Sequence, residues 1–574
     1  MESLAERIDP FTTEQLAERL IHPVLYVLRE MYDRGIFHGL ITPTNLYYSG
    51  ANTKKTLVGE SISRPAGLDC PPVCLTIERA MADPDARGIG QLSDDFYALG
   101  ITAAILARGR DPLRGKTSNE IVDAKLKHGS YAAMIEGMRP NGRTSELLRG
   151  LLADNPTQRW GVDELQGWLK GGRLSAKQHS VSKKAGRALK FAGDKYLTVR
   201  PLARAFARNV DAAQQIIESG EFKKWVERSL SDGDLLDRVE DAIARAKKNG
   251  GEDQYKYRLI AYVTMEMDPT APVRYKSHAV LPQGVGMAIY QTMRKGKSIQ
   301  DFAEMLSNRT LFHWLNTPGN DPPWRPELER KFNISNQLIH QSSIGRGPER
   351  CLYELNDNIP CLSPLLEKHY VCEPDELLLS LDELCKTDDK SPDQLIDRHI
   401  AGFISARDDR DYAGVMAKIS DEDAGQRRLA ELTILSILQK RYLKDNQLPN
   451  LLKWMQPHAQ TICNRFRNKE RRARIIREIP EAVNSGDLGK LMGVVDNAAE
   501  VQNDIAEFRQ AQSDYQHMAN RLDELENRLA NDDTAGQSTG RELAVVISGV
   551  CAGLIMIATL ITHLAELKDS FIAG

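Results

Sequence analysis

Residues 38–45 read His-Gly-Leu-Ile-Thr-Pro-Thr-Asn, and the fold turns on how that stretch is read. Alone it is a turn with a helix stop. Its surroundings say more. Upstream, Leu16, Leu20, Val24, Val27, Leu28 and Met31 recur at helical spacing. A helix is therefore predicted over 13–34, with Thr12 or Thr13 as its cap and Gly35 as its stop. Downstream, 55–58 (Lys-Thr-Leu-Val) reads as a short strand, and TIERA at 76–80 carries Glu78. SDDFYALG at 93–100 opens a strongly apolar helix, Phe96 to Ala107, and ADNPTQRW at 153–160 carries Arg159.

In order and spacing these four motifs resemble the C-terminal lobe of eukaryotic-type serine/threonine protein kinases, over residues 1–172. The resemblance implies a catalytic loop that supplies an Asp as base, a Lys that steadies the transferring phosphate and an Asn that holds a metal ion. Here His38 falls at the family His, Leu40 at the Asp, Thr42 at the Lys and Asn45 at the Asn. Leucine neither accepts a proton nor orients a hydroxyl, so the family's general base is missing. TLVGES at 56–61 stands where the family carries its metal-binding Asp, with Gly59 at that position and Glu60 beside it. Asn45 alone is left as a nucleotide-binding candidate.

The same resemblance implies structural roles elsewhere. Glu78 and Arg159 match an ion pair tying the activation-segment end to the late helices, and Asp95 matches a helix residue that receives the catalytic-loop backbone. His38, Glu78, Asp95 and Arg159 are thus shape-bearing positions kept while the chemistry is lost. No glycine-rich phosphate loop or Val-Ala-Ile-Lys-like strand precedes the lobe. Two readings follow: a lobe that has been lost, or one encoded upstream of Met1. The first gives a catalytically inactive pseudokinase, with ATP and magnesium doubtful. The second gives an active kinase that recruits Glu60, Asp69 or Asp94 as a substitute base or metal ligand. In a third reading the lobe is only a packing unit of a helical assembly protein.

Beyond the lobe, a polar linker is predicted over 173–187 and a mainly helical region over 188–490, with room for two subdomains. Leu202, Phe206, Ala213, Ile216 and Ile217 form one apolar face, and Phe302, Leu306, Phe312 and Trp314 another. The basic run Arg465, Arg467, Lys469, Arg471, Arg472, Arg474, Arg477 is either a solvated helix face or a contact for anionic lipid or an acidic protein. Val501, Phe508, Tyr515, Leu522 and Leu529 share one heptad position, with Ala511, Met518 and Leu525 three residues on, and Asp504 spoils the first turn. A coiled coil is predicted over 494–530, able to join two copies as a homodimer. NDDTAGQSTG then reads as a flexible spacer, 531–541.

From Leu543 to Ala565 no formal charge interrupts the chain. At about 1.5 Å per residue that run spans about 34 Å, enough for a bilayer core of about 30 Å. The alternative, a buried core helix, rarely stays apolar on every face for so long. A transmembrane helix is predicted over 543–565. The fold expected is thus mainly α: a kinase-like lobe, a long α-helical region, a coiled coil and one C-terminal transmembrane helix.

The 574 residues are 41% hydrophobic and 27% charged, a balance that lets most of the chain bury a core. With 76 basic against 79 acidic residues the chain is no globally basic nucleic-acid binder, and no nucleic-acid partner is expected. Eight scattered cysteines fit a reducing compartment better than a disulfide framework, and the first residues form no secretory signal. GRDPLRGKT at 109–117 misses phosphate-loop spacing by one residue and follows a helix, and the cysteines lack zinc spacing. The expectation is a bacterial, single-pass protein of the inner (cytoplasmic) membrane with its body in the cytoplasm, acting on unidentified protein partners as a scaffold or regulator.

Overall fold

The computed structural model describes residues 2–3, 9–48, 56–60, 67–173, 183–249, 251–318, 324–386, 392–444 and 446–572. The chain is mainly helical, and its strands are confined to three small antiparallel sheets among those residues. It divides into two compact units, Met1–Leu384 with Asp389–Ser420, and Asp421–Gly574 with Cys385–Asp388.

The first unit begins with β1 (Glu2–Ser3). Thr13–Leu16, a π turn over Ala17–Ile21 and α1 (His22–Tyr32) then follow as one run of helix. Thr12 caps that run by accepting from Gln15 N–H. Its apolar residues Leu16, Leu20, Val24 and Leu28 are buried. The loop 38–45 leads into β2 (Leu46–Tyr48), which pairs antiparallel with β3 (Thr56–Val58) in the register Tyr47 to Leu57. The central helix α2 (Leu92–Arg108) is buried on most of its faces, which is why its sequence carries no polar stripe. Around it pack Leu147, Leu148 and Leu151 of α4 (Gly142–Leu151), with Trp160 and Trp168; α3 (Ser118–His128) lies between α2 and α4 in sequence.

Residues 1–172 do not stand alone. They share the first unit with 188–384, joined through α5 (Val199–Arg208) and the residues after α6 (Tyr255–Met267). Arg200 pairs with Glu78 at 2.9 Å, Arg204 with Asp123 at 2.8 Å and Lys295 with Asp85 at 2.8 Å. Asp83 N–H donates to the Ala279 carbonyl at 2.8 Å. The linker expected over 173–187 lies mostly outside the described residues. Its end is pinned, with Ala185 N–H on Leu197 O and Gly186 N–H on Ser229 O, both at 2.8 Å. The helical region expected over 188–490 is divided between the two units at Ser420.

In the second unit, α7 (Ala424–Tyr442) packs on α8 (Pro449–Ile462), and α9 (Lys469–Asn484) packs on α8 and on α10 (Leu488–Val495). The Gln439 carboxamide is a buried hub: it donates to the carbonyls of Asn446 and Gly486 and accepts from Leu488 N–H. One helix, α11 (Ala498–Ile572), then runs to the end of the described chain.

Three expectations for this unit change. The predicted coiled coil cannot begin at 494, because α10 and α11 are separate helices. The spacer expected over 531–541 is helical, since Gly536 and Gly540 are isolated, each costs only about 1 kcal/mol, and no proline interrupts the run. The basic run is also neither a free solvated face nor an open lipid contact along its length. Arg471 pairs with Glu500, Asp504 and Glu507, Arg474 with Glu500, and Arg465 with Asp496. The C-terminal part of α11 is long and apolar enough to cross a membrane, by length and composition.

Candidate functional site

The loop 38–45 is fixed by the helix beneath it. Asp95, in the first turn of α2, accepts from His38 N–H at 2.9 Å and from Gly39 N–H at 2.8 Å. Seven residues on, along the same face of α2, Thr102 donates its hydroxyl to the Ile41 carbonyl at 3.1 Å. Gly39 sits at φ +71°, a conformation that a side chain disfavours, and this turns two successive N–H groups toward one carboxylate. Burial raises the Asp95 carboxyl to about 6, against the pull of the two N–H groups, which favour its charged form.

His38 is 2% exposed. Its Nδ1 accepts from Leu40 N–H at 3.2 Å, while Nε2 is buried without a hydrogen-bond partner of good geometry. Burial pushes the ring down to about 4, with the Gly59 backbone opposing the drop. His38 is therefore a neutral wedge at ordinary pH. Leu40 packs half-buried against the apolar core, and Thr42, 1% exposed, shares a hydrogen bond with Thr44 at 2.9 Å. Neither offers a proton acceptor or a cation.

Asn45 is spent on the backbone. Its amide donates to the Leu40 carbonyl at 3.0 Å and the Glu60 carbonyl at 2.7 Å, and its oxygen accepts from Glu60 N–H at 3.1 Å. A carboxamide has two N–H donors and one carbonyl oxygen, and all three groups are engaged here. Asn45 is thus a brace between the loop and the residues that follow β3. Gly59 completes the interlock, because a Cβ there would collide with Asn45 Oδ1. The space a metal-binding carboxylate would need at 59 is filled by the side chain expected to be its co-ligand.

The substitute carboxylates fare no better. Asp94 is bound by Arg79 at 2.7 Å and accepts from Gln91 N–H. Glu60 is exposed, held through its backbone by Asn45, and Asp69 is exposed on a turn. A shallow cleft beside the loop is lined by Phe37, Gly39, Cys74, Arg79, Asp94 and Asp95, among others. Its charged groups are the ones already paired. The Cys74 thiol is pushed well up by its contact with Cys70 and by burial, so it is a poor nucleophile.

The ion pair expected between Glu78 and Arg159 is not formed. Glu78 meets Arg200, which also holds Asp268 at 3.0 Å. Arg159 instead donates to the carbonyls of Ser93 at 2.7 Å and Ala153 at 3.0 Å and lies over the Tyr97 ring. Two further buried cations work in the same way, and nothing in the sequence marked them. Lys125 donates to the carbonyls of Val73 and Leu75, at 2.7 and 2.8 Å, and burial pulls its amine down to about 8. Arg87 donates to Gly67 O at 2.5 Å and to Arg79 O at 3.2 Å. Backbone carbonyls are their partners, so segment 67–94 is clamped by charge that no ligand phosphate can use. Arg274 differs: its Nη2 is buried without a partner, and burial beside Arg204 and Arg208 holds its guanidinium down at about 10.

No protein-family model matches the chain, and neither a curated protein nor a solved structure matches it significantly.

Proposed function

We propose that the chain is a membrane-anchored, catalytically inactive protein-kinase-like scaffold or regulator, which acts through protein contacts at the cytoplasmic membrane face. One observation carries this reading. The loop 38–45 is hydrogen-bonded into a fixed platform by Asp95, Thr102 and Asn45, and the kinase resemblance puts Leu40, Thr42 and Gly59 at the positions of its base, its cation and its metal ligand. A side-chain set braced on the backbone favours shape over chemistry, since phosphoryl transfer depends on groups free to stabilise charge on the moving phosphate. The anchor rests on the uncharged run in α11, none of whose apolar window is buried within the chain.

The full chain in its membranes is incubated with radiolabelled ATP and magnesium. The expected result is no incorporation, and no thermal stabilisation by nucleotide. Incorporation that disappears when Glu60 or Asp69 alone is replaced by Ala overturns the inactive reading. Fractionation of the chain with and without residues 541–574 tests the anchor: the full chain should pellet with membranes and the truncated one should not.

A further inference from the structure

The start of α11 is docked within its own unit, and the docking has a sharp end. Asp504, 3% exposed, accepts from the N–H groups of Arg467 and Asn468 at 2.8 and 3.0 Å, just where α9 begins. Arg471 closes on Glu500, Asp504 and Glu507. Arg467 lies over the Phe508 ring. Past that point the heptad stripe is bare. Tyr515 is 74% exposed, Met518 69%, Leu522 59%, Leu525 50% and Leu529 74%. The residue that spoils the first heptad is thus the docking group, and the regular repeat begins where docking ends.

We infer that a second copy of this chain covers the stripe at 511–529, the two α11 helices running parallel and in register as a coiled coil. Three features of the helix select this occupant. The apolar residues repeat every seven, a period that keeps them on one seam only if the helix supercoils with another of the same period. In the parallel register Arg521 of one copy faces Glu526 of the other, Asp514 faces Ala519 and Glu507 faces Gln512, so no like charges flank the stripe itself. Finally, α11 is one helix from the stripe into the uncharged run. Leu529 to Leu543 is two whole heptads, so after the polar or small seam positions Asp532, Gly536 and Thr539 the same register resumes at Leu543, Val546, Val550, Gly553, Ile557 and Leu560. Gly553 on that seam and Gly549 flanking it one turn earlier allow close backbone approach between spans. The choice of parallel rests on the anchor reading: copies held in one membrane with their bodies on one side carry the stripe in the same direction and at the same height. They meet without sliding, at a raised effective concentration.

Leu522→Cys, Leu525→Cys and Asn527→Cys are each placed in the full chain carrying Cys551→Ser, and native membranes are oxidised and run on a non-reducing gel. Leu522 and Leu525 lie on the seam and Asn527 opposite it. A band of twice the chain mass, at least five-fold stronger for the seam positions than for Asn527→Cys, is expected. Arg521→Glu should weaken it several-fold, and adding Glu526→Arg should restore it. Equal bands at all three positions, or a seam cysteine linked to a different protein, overturn the inference. Linkage only between Met518→Cys and Leu522→Cys copies expressed together, with none when Leu522→Cys is alone, indicates antiparallel pairing and overturns it too. Carbonate extraction of the same membranes reads the anchor separately. Linkage at Leu522→Cys in extractable protein leaves the pairing standing and removes the anchor; a resistant pellet without linkage does the reverse.

Discussion

The loop 38–45 and the stripe 511–529 are opposites in how they are completed. In the loop, the groups that fix its course have partners inside the chain: Asp95 takes two N–H groups and Asn45 uses both ends of its amide. In the stripe, large apolar side chains stand in water along a helix with no cover from its own unit among the described residues. One region resembles chemistry and is closed, whereas the other resembles nothing chemical and is open. The pairing inferred above falls on the open region, and the inactive-platform proposal on the closed one.

The contrast can be broken most severely at Asp95. Asp95→Ala leaves two buried N–H groups without an acceptor, each costing about 1–3 kcal/mol, so a loss of about 3 kcal/mol is expected in denaturant unfolding of the full chain. A loss under about 0.5 kcal/mol would mean that the loop is not held from below. Next is Asp504→Ala, which strips the start of α9 and frees Arg471. About 2 kcal/mol is expected, read as faster protease cleavage around 497–507. Leu522→Asn, on the open side of the contrast, should leave that cleavage unchanged while abolishing self-association.

Acid sharpens the closed side. His38 has its folded pKa lowered, to about 4, so the folded state binds fewer protons than the unfolded one below about 6.5, and stability falls as pH drops through that window. Asp95 has its folded pKa raised, to about 6, so its contribution runs the other way: present below about 4 and lost as pH rises to about 6. The two slopes oppose each other between about pH 4 and 6. His38→Phe should remove the first and leave a chain whose stability rises on acidification from pH 6 to 4, measured as urea midpoints across that range. The smallest effect is expected at Arg274. Arg274→Met removes a buried charge whose Nη2 has no partner, so a change between zero and about 1 kcal/mol of stabilisation is expected in thermal unfolding.

What could be read without coordinates was periodic or local. The helix from Thr13, the apolar helix around Phe96, the strand at 56–58 and the heptad after Phe508 each repeat a pattern set by their own backbone geometry. What could not be read joins residues far apart. Arg200 reaching Glu78 spans 122 positions, and Lys125 on the carbonyls of Val73 and Leu75 uses acceptors that every residue carries. Asn45 shows the limit at a site: its type and position were legible, but its employment was not, because only the fold brings Glu60 and Leu40 around it. Asp504 was legible as an irregularity, without the reason for it.

The helical course of 531–541 has a mechanical meaning. From Phe508, the last docked residue, to Leu543 the helix runs without a break, and at 1.5 Å per residue that is roughly 50 Å of stalk. Were the uncharged run after Leu543 to lie in a bilayer, the docked start of α11 would stand farther from the headgroups than that run is long. The length of the unjointed helix would then set the height at which the inferred pairing takes place.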